Sequence, residues 1–303
     1  MTIRRAVKNA LFKVSPALGT QCAELWDVVV AVAQRRMRVK AATKYVLFGL
    51  CPGLRGKFDY KGTRVYFPKG SIIFRLACET DTYEPEVTEC LCRLAKPNQL
   101  FIDIGANIGL TSIPVLQRVD ASRVLSFEPS PNSLPYLERT KRESAFRSRW
   151  EIVPKAAGES PGRAQFWVAE PEAGGWDGLQ DTKRVGERYP VEVPQTTLDE
   201  EWRRLNRPAV SCIKIDVEGA ETKVLKGAEE VVRAERPHIL LEWNRENLAA
   251  HGIDVNVLLD YASSHSYALV ALSNSSPIDD VHILKMHMQQ SEMFLLVPKE
   301  GAA

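Results

Sequence analysis

Short apolar runs alternate with helical patterns from residue 100 onward. The runs that predict buried strands are LFIDI (100–104), RVLSFE (123–128), WEIVP (150–154), CIKID (212–216) and HILLEW (238–243). Between several of them lie helical patterns, namely TSIPVLQRV, SLPYLERTKRE and AETKVLKGAEEVVRAE. This alternation predicts an α/β fold with a doubly wound, mostly parallel sheet. Two later runs, SYALVAL and EMFLLVP, predict strands that close one edge of the sheet.

The chain before and within this repeat contains other local patterns. GTRVYFPKGSIIFRL (62–76) predicts two short strands joined by a turn at Pro68–Gly70, and EPEVTECLCRLA (84–95) predicts a helix. RAQFWV and YPVEVPQ predict a hairpin around the loop AGGWDGLQD, where Trp176 is a candidate for stacking on a flat substrate. We divide the chain into a mostly helical N-terminal appendage (1–60) and a main domain (61–303).

Charge separates these two regions although the net charge is only +2. Residues 1–64 contain 13 Lys and Arg against 3 Asp and Glu, so they carry +10 and the remainder carries −8. The basic segment predicts either contact with an anionic surface or docking on the acidic body; a nucleic-acid partner is not expected. The six cysteines have no zinc spacing, and the chain has no evident secretory signal. We therefore expect a cytoplasmic protein, with peripheral contact at the inner membrane face as an option.

The stretch FIDIGANIGL is the first candidate site. Asp103 ends a predicted strand, and Gly105 and Gly109 permit a tight turn and a close approach of a ligand to the backbone. The next helix would offer free N–H groups to a negative group. Glu128 ends the following strand, 19 positions after Gly109, where a carboxylate accepts hydrogen bonds from ribose hydroxyls. The pattern predicts a nucleoside site at the carboxyl ends of the strands.

The identity of the nucleoside follows from the first position of this turn. Asp103 replaces the first glycine of the dinucleotide pattern G-x-G-x-x-G. An acid favours an amine-bearing or cationic ligand over a pyrophosphate, which predicts S-adenosyl-L-methionine. A nucleoside-binding protein of another class, either an NAD-dependent oxidoreductase or a non-catalytic scaffold, is the alternative.

A second candidate cluster lies in CIKIDVEGAE and LLEWN. Asp216 and Glu242 end adjacent predicted strands, and Glu218 follows Asp216 by two residues, so the three carboxylates should face one crevice. They could accept a proton from a substrate hydroxyl or fix its orientation. A divalent cation held with Asn244 is the less favoured alternative, and no metal is predicted. Lys214 alternates with Ile213 and Ile215, which favours a structural ion pair.

Several separated motifs together resemble the FkbM-type S-adenosylmethionine-dependent methyltransferases. The motifs are TYEPEVTECL, FIDIGANIG, FEPSPNSLPYL, PKAAGE, TTLDEE, IKIDVEGAETKVLKGA and PHILLEWN. The resemblance covers residues 61–298 and implies a class I methyltransferase (Rossmann-like) fold. It also implies O-methylation of a hydroxyl on a sugar, a glycan or a secondary metabolite.

The resemblance assigns site residues too. It implies that the cofactor is held by Asp103, Gly105, Asn107, Gly109 and Glu128, with Ala156 and Ala157 near the adenine. On the substrate side the chain departs from the usual pattern: the helix after Glu128 ends ERTKRESAF and His265 precedes Ser266–Tyr267.

Overall fold

The structure is a computed structural model of the 303-residue chain. It describes residues 56–68, 71–80, 82–169, 177–179, 188–272 and 275–299, together with four isolated positions between 39 and 46. Most of the predicted appendage, and Trp176 of the predicted substrate loop, therefore lie outside the described residues.

A mixed eight-stranded sheet forms the centre of the fold. Its five parallel strands are β3 (Leu100–Ile104), β4 (Arg123–Phe127), β5 (Trp150–Val153), β9 (Val210–Ile215) and β10 (His238–Glu242). Three further strands, β11 (Tyr267–Ala271), β12 (Pro277–Ile278) and β13 (Met293–Pro298), extend it in antiparallel pairing. The strand order is β12-β11-β13-β10-β9-β3-β4-β5. The chain adds β4 and β5 on one side of β3 and then β9 and β10 on the other side, so the order of winding reverses between β3 and β9. Ligands bind at such a switch point in doubly wound sheets.

Helices cover both faces of the sheet because the buried strands are apolar on both sides. Ile102 and Ile213 face one core, which is covered by α5 (Leu198–Arg204), α6 (Glu221–Lys226), α7 (Glu229–Glu235), α8 (Arg245–His251), α9 (Val257–Ser264) and α10 (Val281–His287). Phe101 and Cys212 face the other, covered by α1 (Ile72–Thr80), α2 (Pro85–Leu94), α3 (Ser112–Arg118) and α4 (Leu134–Glu143). The predicted doubly wound sheet is confirmed.

A small three-stranded sheet lies beside the main one. The predicted hairpin is present as β7 (Gly162–Ala169) and β8 (Arg188–Thr196), paired from Gly162↔Gln195 to Ala169↔Arg188. The strand β6 (Ala156–Ala157) pairs in parallel with the end of β8. The segment 177–179 joins this sheet through a bridge between Gly178 and Trp167.

Two sequence predictions of local structure are wrong. Residues 72–76 were expected in a strand but belong to the helix α1, where Ser71 accepts a hydrogen bond from the Phe74 N–H. Ile73 and Ala77, four residues apart, both face the core, so tertiary packing overrides the strand preference of Ile72 and Ile73.

The pattern at 220–235 was expected to form one helix but forms two, α6 and α7. The chain breaks at Gly227, where an added Cβ would lie 2.0 Å from the Gly158 carbonyl oxygen. The Asp199 carboxylate, which comes from α5, caps the start of the second helix. It accepts hydrogen bonds from the N–H groups of Glu230 and Val231, each at 2.9 Å.

The start of the main domain lies inside a hairpin. The strands β1 (Lys57–Tyr60) and β2 (Thr63–Tyr66) pair in antiparallel fashion, and the boundary predicted after residue 60 falls in the turn between them. The hairpin thus joins the two predicted regions, and the division itself stays a prediction. None of the helices among the described residues combines the length and hydrophobicity needed to cross a bilayer.

Candidate functional site

A crevice runs along the carboxyl ends of β4, β3 and β9, at the switch point of the sheet. One part is lined by the loop after β3 and by Glu128, Lys214, Asp216 and Glu218. The adjoining part is lined by Ala156, Ala157, Phe127, Pro129, Phe166 and Leu179. Gly105, Glu128, Asp177 and Asp216 line both parts, so the two form one continuous site.

Two glycines are required by the turn after β3. Gly105 has φ +82°, and a Cβ at this position would lie 1.8 Å from the Asp216 carbonyl oxygen. Gly109 has φ +90°, and a Cβ there would lie 2.7 Å from the Trp150 ring. Gly105 therefore lets β3 approach the end of β9, and Gly109 lets α3 begin against the core. The close contacts at both glycines are with other protein groups, and the approach of a ligand to this turn stays a prediction.

Glu128 holds this turn in place. Its Oε2 accepts a hydrogen bond from the Asn107 N–H at 2.7 Å, and its Oε1 accepts one from the Ser130 N–H at 2.7 Å. Burial, with smaller contributions from the charges of Asp177 and Asp103, raises the pKa of Glu128 to about 7 despite these two bonds. A carboxylate has about four acceptor positions, so the two bonds leave about two of them available to a ligand.

Asp103 lies in a row of polar side chains that crosses three strands. Ser126, Asp103 and Lys214 are register neighbours on β4, β3 and β9 and share one face of the sheet. The Asp103 Oδ2 accepts hydrogen bonds from Thr111 Oγ1 at 2.7 Å and Ser112 Oγ at 2.6 Å. Its Oδ1 is buried and has no hydrogen-bond partner among the described residues, and the Lys214 Nζ lies 3.8 Å away.

Lys214 forms the predicted ion pair. Its Nζ lies 3.0 Å from Asp216 Oδ2, and its side chain is only 2% exposed. Burial alone would lower the pKa of Lys214, but the charges of Asp216, Asp103 and Glu84 outweigh burial and hold the pKa above its usual value. The ammonium therefore stays charged although it also lines the crevice.

The three predicted acids at the ends of β9 and β10 come together. Carboxylate oxygens of Asp216, Glu218 and Glu242 lie within 4.8 Å of one another. The amide Nδ2 of Asn247 donates to Glu218 Oε2 and to Glu242 Oε2, each at 3.0 Å. Burial and the surrounding acids raise the pKa of Glu242 well above its usual value. The cluster is therefore a set of buried, closely spaced carboxyl groups in which one amide donor joins two members.

Two other polar residues near this cluster, Glu221 and Asn244, have structural roles. Glu221 is buried and accepts hydrogen bonds from the N–H groups of Val217 (3.2 Å) and Gly219 (3.1 Å) before α6. Its pKa is raised to about 8, chiefly by burial. Asn244 caps α8 through its Oδ1, which accepts from the N–H groups of Glu246 and Asn247. The side-chain oxygen of Asn244 is therefore occupied by hydrogen bonds at the start of α8.

Two residues that the sequence patterns did not single out, Tyr83 and Asp177, also line the crevice. Tyr83, between α1 and α2, lines it opposite the strand ends, and burial raises the pKa of its hydroxyl well above the usual value. Asp177 closes it from the small sheet by accepting hydrogen bonds from Ser130 Oγ (2.5 Å) and the Ala169 N–H (2.8 Å). Tyr83 belongs to the motif TYEPEVTECL and Asp177 to the loop AGGWDGLQD, but no spacing within either stretch singles out these two side chains.

The decisive comparison is with known protein families. The family described as the methyltransferase FkbM domain matches residues 103–269, which is more than half of the chain. The chain belongs to the FkbM methyltransferase family. The resemblance predicted from the motifs is confirmed, and so are the class I methyltransferase fold and the assignment as an enzyme.

Individual relatives of this FkbM methyltransferase are distant. The 2-O-methyltransferase NoeI of Sinorhizobium fredii is 25% identical over 190 residues, covering 59% of this chain and 76% of NoeI. The AMB antimetabolite synthetase AmbE of Pseudomonas aeruginosa is 25% identical over 202 residues, covering 56% of this chain and only 10% of AmbE. A crystal structure of an FkbM methyltransferase from Methylobacillus flagellatus is 16% identical with a TM-score of 0.42. That match covers 86% of this chain and 59% of the other.

Proposed function

We propose that this FkbM methyltransferase uses S-adenosyl-L-methionine to methylate a hydroxyl oxygen of a sugar, a glycan or a small metabolite. The observation that carries the proposal is the crevice at the switch point, where the Gly105 turn, Glu128 and the acids of β9 and β10 line one continuous space.

The residues of the crevice fit this cofactor. The buried Asp103 Oδ1 without a hydrogen-bond partner suits a ligand that brings positive charge or N–H donors. Gly105, Asn107 and Gly109 would hold the amino-acid end, and Glu128 would accept hydrogen bonds from the ribose. Ala156 and Ala157, both buried at the apolar end, would lie against the adenine. When bound, the cofactor supplies a methyl group that a sulfonium has already activated.

The protein's own contribution would be orientation and proton transfer. Asp216 and Glu218 would accept hydrogen bonds from the acceptor hydroxyl, and Asp216, with a side chain 24% exposed, is the more accessible. Glu242, held with Glu218 by Asn247, would keep the cluster in position. Orientation of two reactants lowers a barrier by roughly 7–11 kcal/mol, and a positioned base adds about 10²–10⁴-fold.

The hydroxyl acceptor is supported by the family and by a relative that is a 2-O-methyltransferase. Carboxylates at the strand ends are also the acceptors that sugar hydroxyls need. Contact of the basic segment 1–64 with an anionic surface, and a cytoplasmic location, are part of the same proposal.

The test has two stages. Thermal unfolding is first measured with S-adenosylhomocysteine and with NAD, and only the former should raise the melting temperature. The protein is then incubated with methyl-labelled S-adenosylmethionine and fractionated extract, and the labelled product is identified. Stabilisation by NAD alone would favour an oxidoreductase, and binding without transfer to any fraction would favour a scaffold.

A further inference from the structure

Two buried carboxylate oxygens near Lys214 have no hydrogen-bond partner among the described residues. One is Asp103 Oδ1, described above, and the other is Glu84 Oε2. Glu84 lies between α1 and α2, directly after Tyr83, which lines the crevice. A buried acceptor without a donor is destabilising, more so when it is charged, so two of them around one ammonium suggest that a second donor completes the group.

The backbone at Glu84 is held in an unfavourable conformation. Glu84 has φ 41° and ψ 71°, which lies in the left-handed region. Glu84 also precedes Pro85, and a residue before proline prefers an extended conformation. Its surroundings fix it there: the Tyr83 N–H donates to Tyr60 Oη at 3.1 Å, and Thr88 Oγ1 donates to the Tyr83 carbonyl at 2.8 Å. Strain of this kind persists where neighbouring contacts over-determine it, and it is concentrated at functional sites.

The charges around Glu84 do not balance. The groups that act on it are Asp216, Lys214, Tyr83 and Asp103. One ammonium thus stands among three carboxyl groups in a region mostly removed from water. A ligand that brings positive charge would relieve this excess, whereas a neutral ligand would not.

We propose that Glu84 is a cofactor-binding residue whose carboxylate, together with Asp103, receives the ammonium of the cofactor's amino-acid end. The inference rests on the proposed use of S-adenosylmethionine and assigns to residues outside the matched region 103–269 a part of the cofactor site. The helices α1 and α2, which flank Glu84, pack on the same face of the sheet that carries Asp103 and Lys214.

The protonation of Glu84 gives the proposal a second observable. Burial, followed by the charge of Asp216, raises the pKa of Glu84 to about 7, and Lys214 opposes this. An ammonium bound beside the carboxylate favours its ionised form. Binding near pH 7 should therefore release a proton from Glu84.

The experiment is a cycle of two ligands and three proteins, measured by isothermal titration calorimetry. The ligands are S-adenosylhomocysteine and its deaminated analogue, in which hydrogen replaces the amine. The proteins are the wild type, Glu84→Gln and the control Glu86→Gln, which removes an exposed acid from the first turn of the same helix. The wild type and the control should prefer the amine-bearing ligand by about 10- to 100-fold, and Glu84→Gln should lose most of this preference.

Each outcome decides a different point. Equal loss of both ligands in Glu84→Gln, or an unchanged preference, would overturn the role of Glu84 while leaving the cofactor assignment intact. Failure of the wild type to bind either ligand would overturn the proposed function itself. If Glu84→Gln does not fold, the wild type still provides a test in buffers of different ionisation enthalpy. Release of roughly half a proton at pH 7 with the amine-bearing ligand, and less with the analogue, supports the proposal, and equal release overturns it.

Discussion

Replacement of Gly105 by alanine should disrupt the junction between β3 and β9. The new Cβ would lie 1.8 Å from the Asp216 carbonyl oxygen, whereas real Cβ contacts essentially never fall below 3.0 Å. The two backbones would have to separate by at least 1.2 Å, the difference between those distances. Alanine would in addition hold φ +82°, which costs about 1–2 kcal/mol for a residue with a Cβ.

The displacement adds to that cost because hydrogen bonds join the end of β3 to both of its neighbouring strands, β4 and β9. The Gly105 N–H donates to the Phe127 carbonyl at 3.1 Å, and the Asp216 N–H donates to the Ile104 carbonyl at 3.0 Å. Loss of one of these buried bonds costs about 1–3 kcal/mol. We expect Gly105→Ala to lower the free energy of unfolding by about 2–5 kcal/mol in total. We also expect it to abolish measurable binding of S-adenosylhomocysteine.

Gly252→Ala is the matched control. Gly252 has φ +65° and no atom within 4 Å of an added Cβ, so it isolates the backbone cost of about 1–2 kcal/mol. Urea unfolding gives the stability of each variant, and calorimetry gives the affinity. The reasoning is refuted if Gly105→Ala loses no more stability than Gly252→Ala and still binds the ligand.

Three further outcomes are expected. Glu128→Gln should weaken S-adenosylhomocysteine binding about 10- to 100-fold, because an amide cannot accept both backbone N–H groups and ribose hydroxyls; unchanged affinity in calorimetry would remove Glu128 from the ribose site. Glu218→Ala should lower turnover at least about ten-fold with little change in cofactor affinity, and normal turnover would make Glu218 structural. The stability of the ligand-free protein should fall from about pH 5 to about pH 8, because Glu128 and Glu221, with pKa values raised to about 7 and 8, keep protons in the folded state that the unfolded chain has released. For Glu128 alone the loss is up to about 3 kcal/mol, and a flat profile in urea unfolding would contradict it.

The centre of the fold could be predicted because its strands are continuous apolar runs. The carboxyl ends of parallel strands meet at one edge, so the position of Asp216 and Glu242 after such runs was enough to bring them together. The same reasoning failed at Ile72 and Ile73, whose strand preference is outweighed by packing against the core. The preference of a residue for strand or helix does not determine its secondary structure where its packing contacts with the core are extensive.

The rest of the crevice depends on contacts between distant parts of the chain. Tyr83 and Glu84 reach the strand ends only because α1 and α2 pack on one particular face, and no periodicity in the sequence encodes that choice. Asp177 comes from a loop whose partners, Ser130 and Asn132, follow β4. Glu218 has φ +56°, a conformation that its residue type does not suggest.

The pairing of Asp103 with Lys214 across β3 and β9 also bears on how the chain reaches its fold. A slip of one residue between these two central strands would turn the carboxylate and the ammonium onto opposite faces, and the side chain on the slipped strand would be buried among the apolar residues of the other face. A slip of two residues would keep them on one face but separate them by about 6–7 Å along the strand. Misaligned pairings are therefore penalised from the moment that the two strands meet. The polar row thus favours the native register of the sheet, and one of its members, Lys214, also lines the crevice.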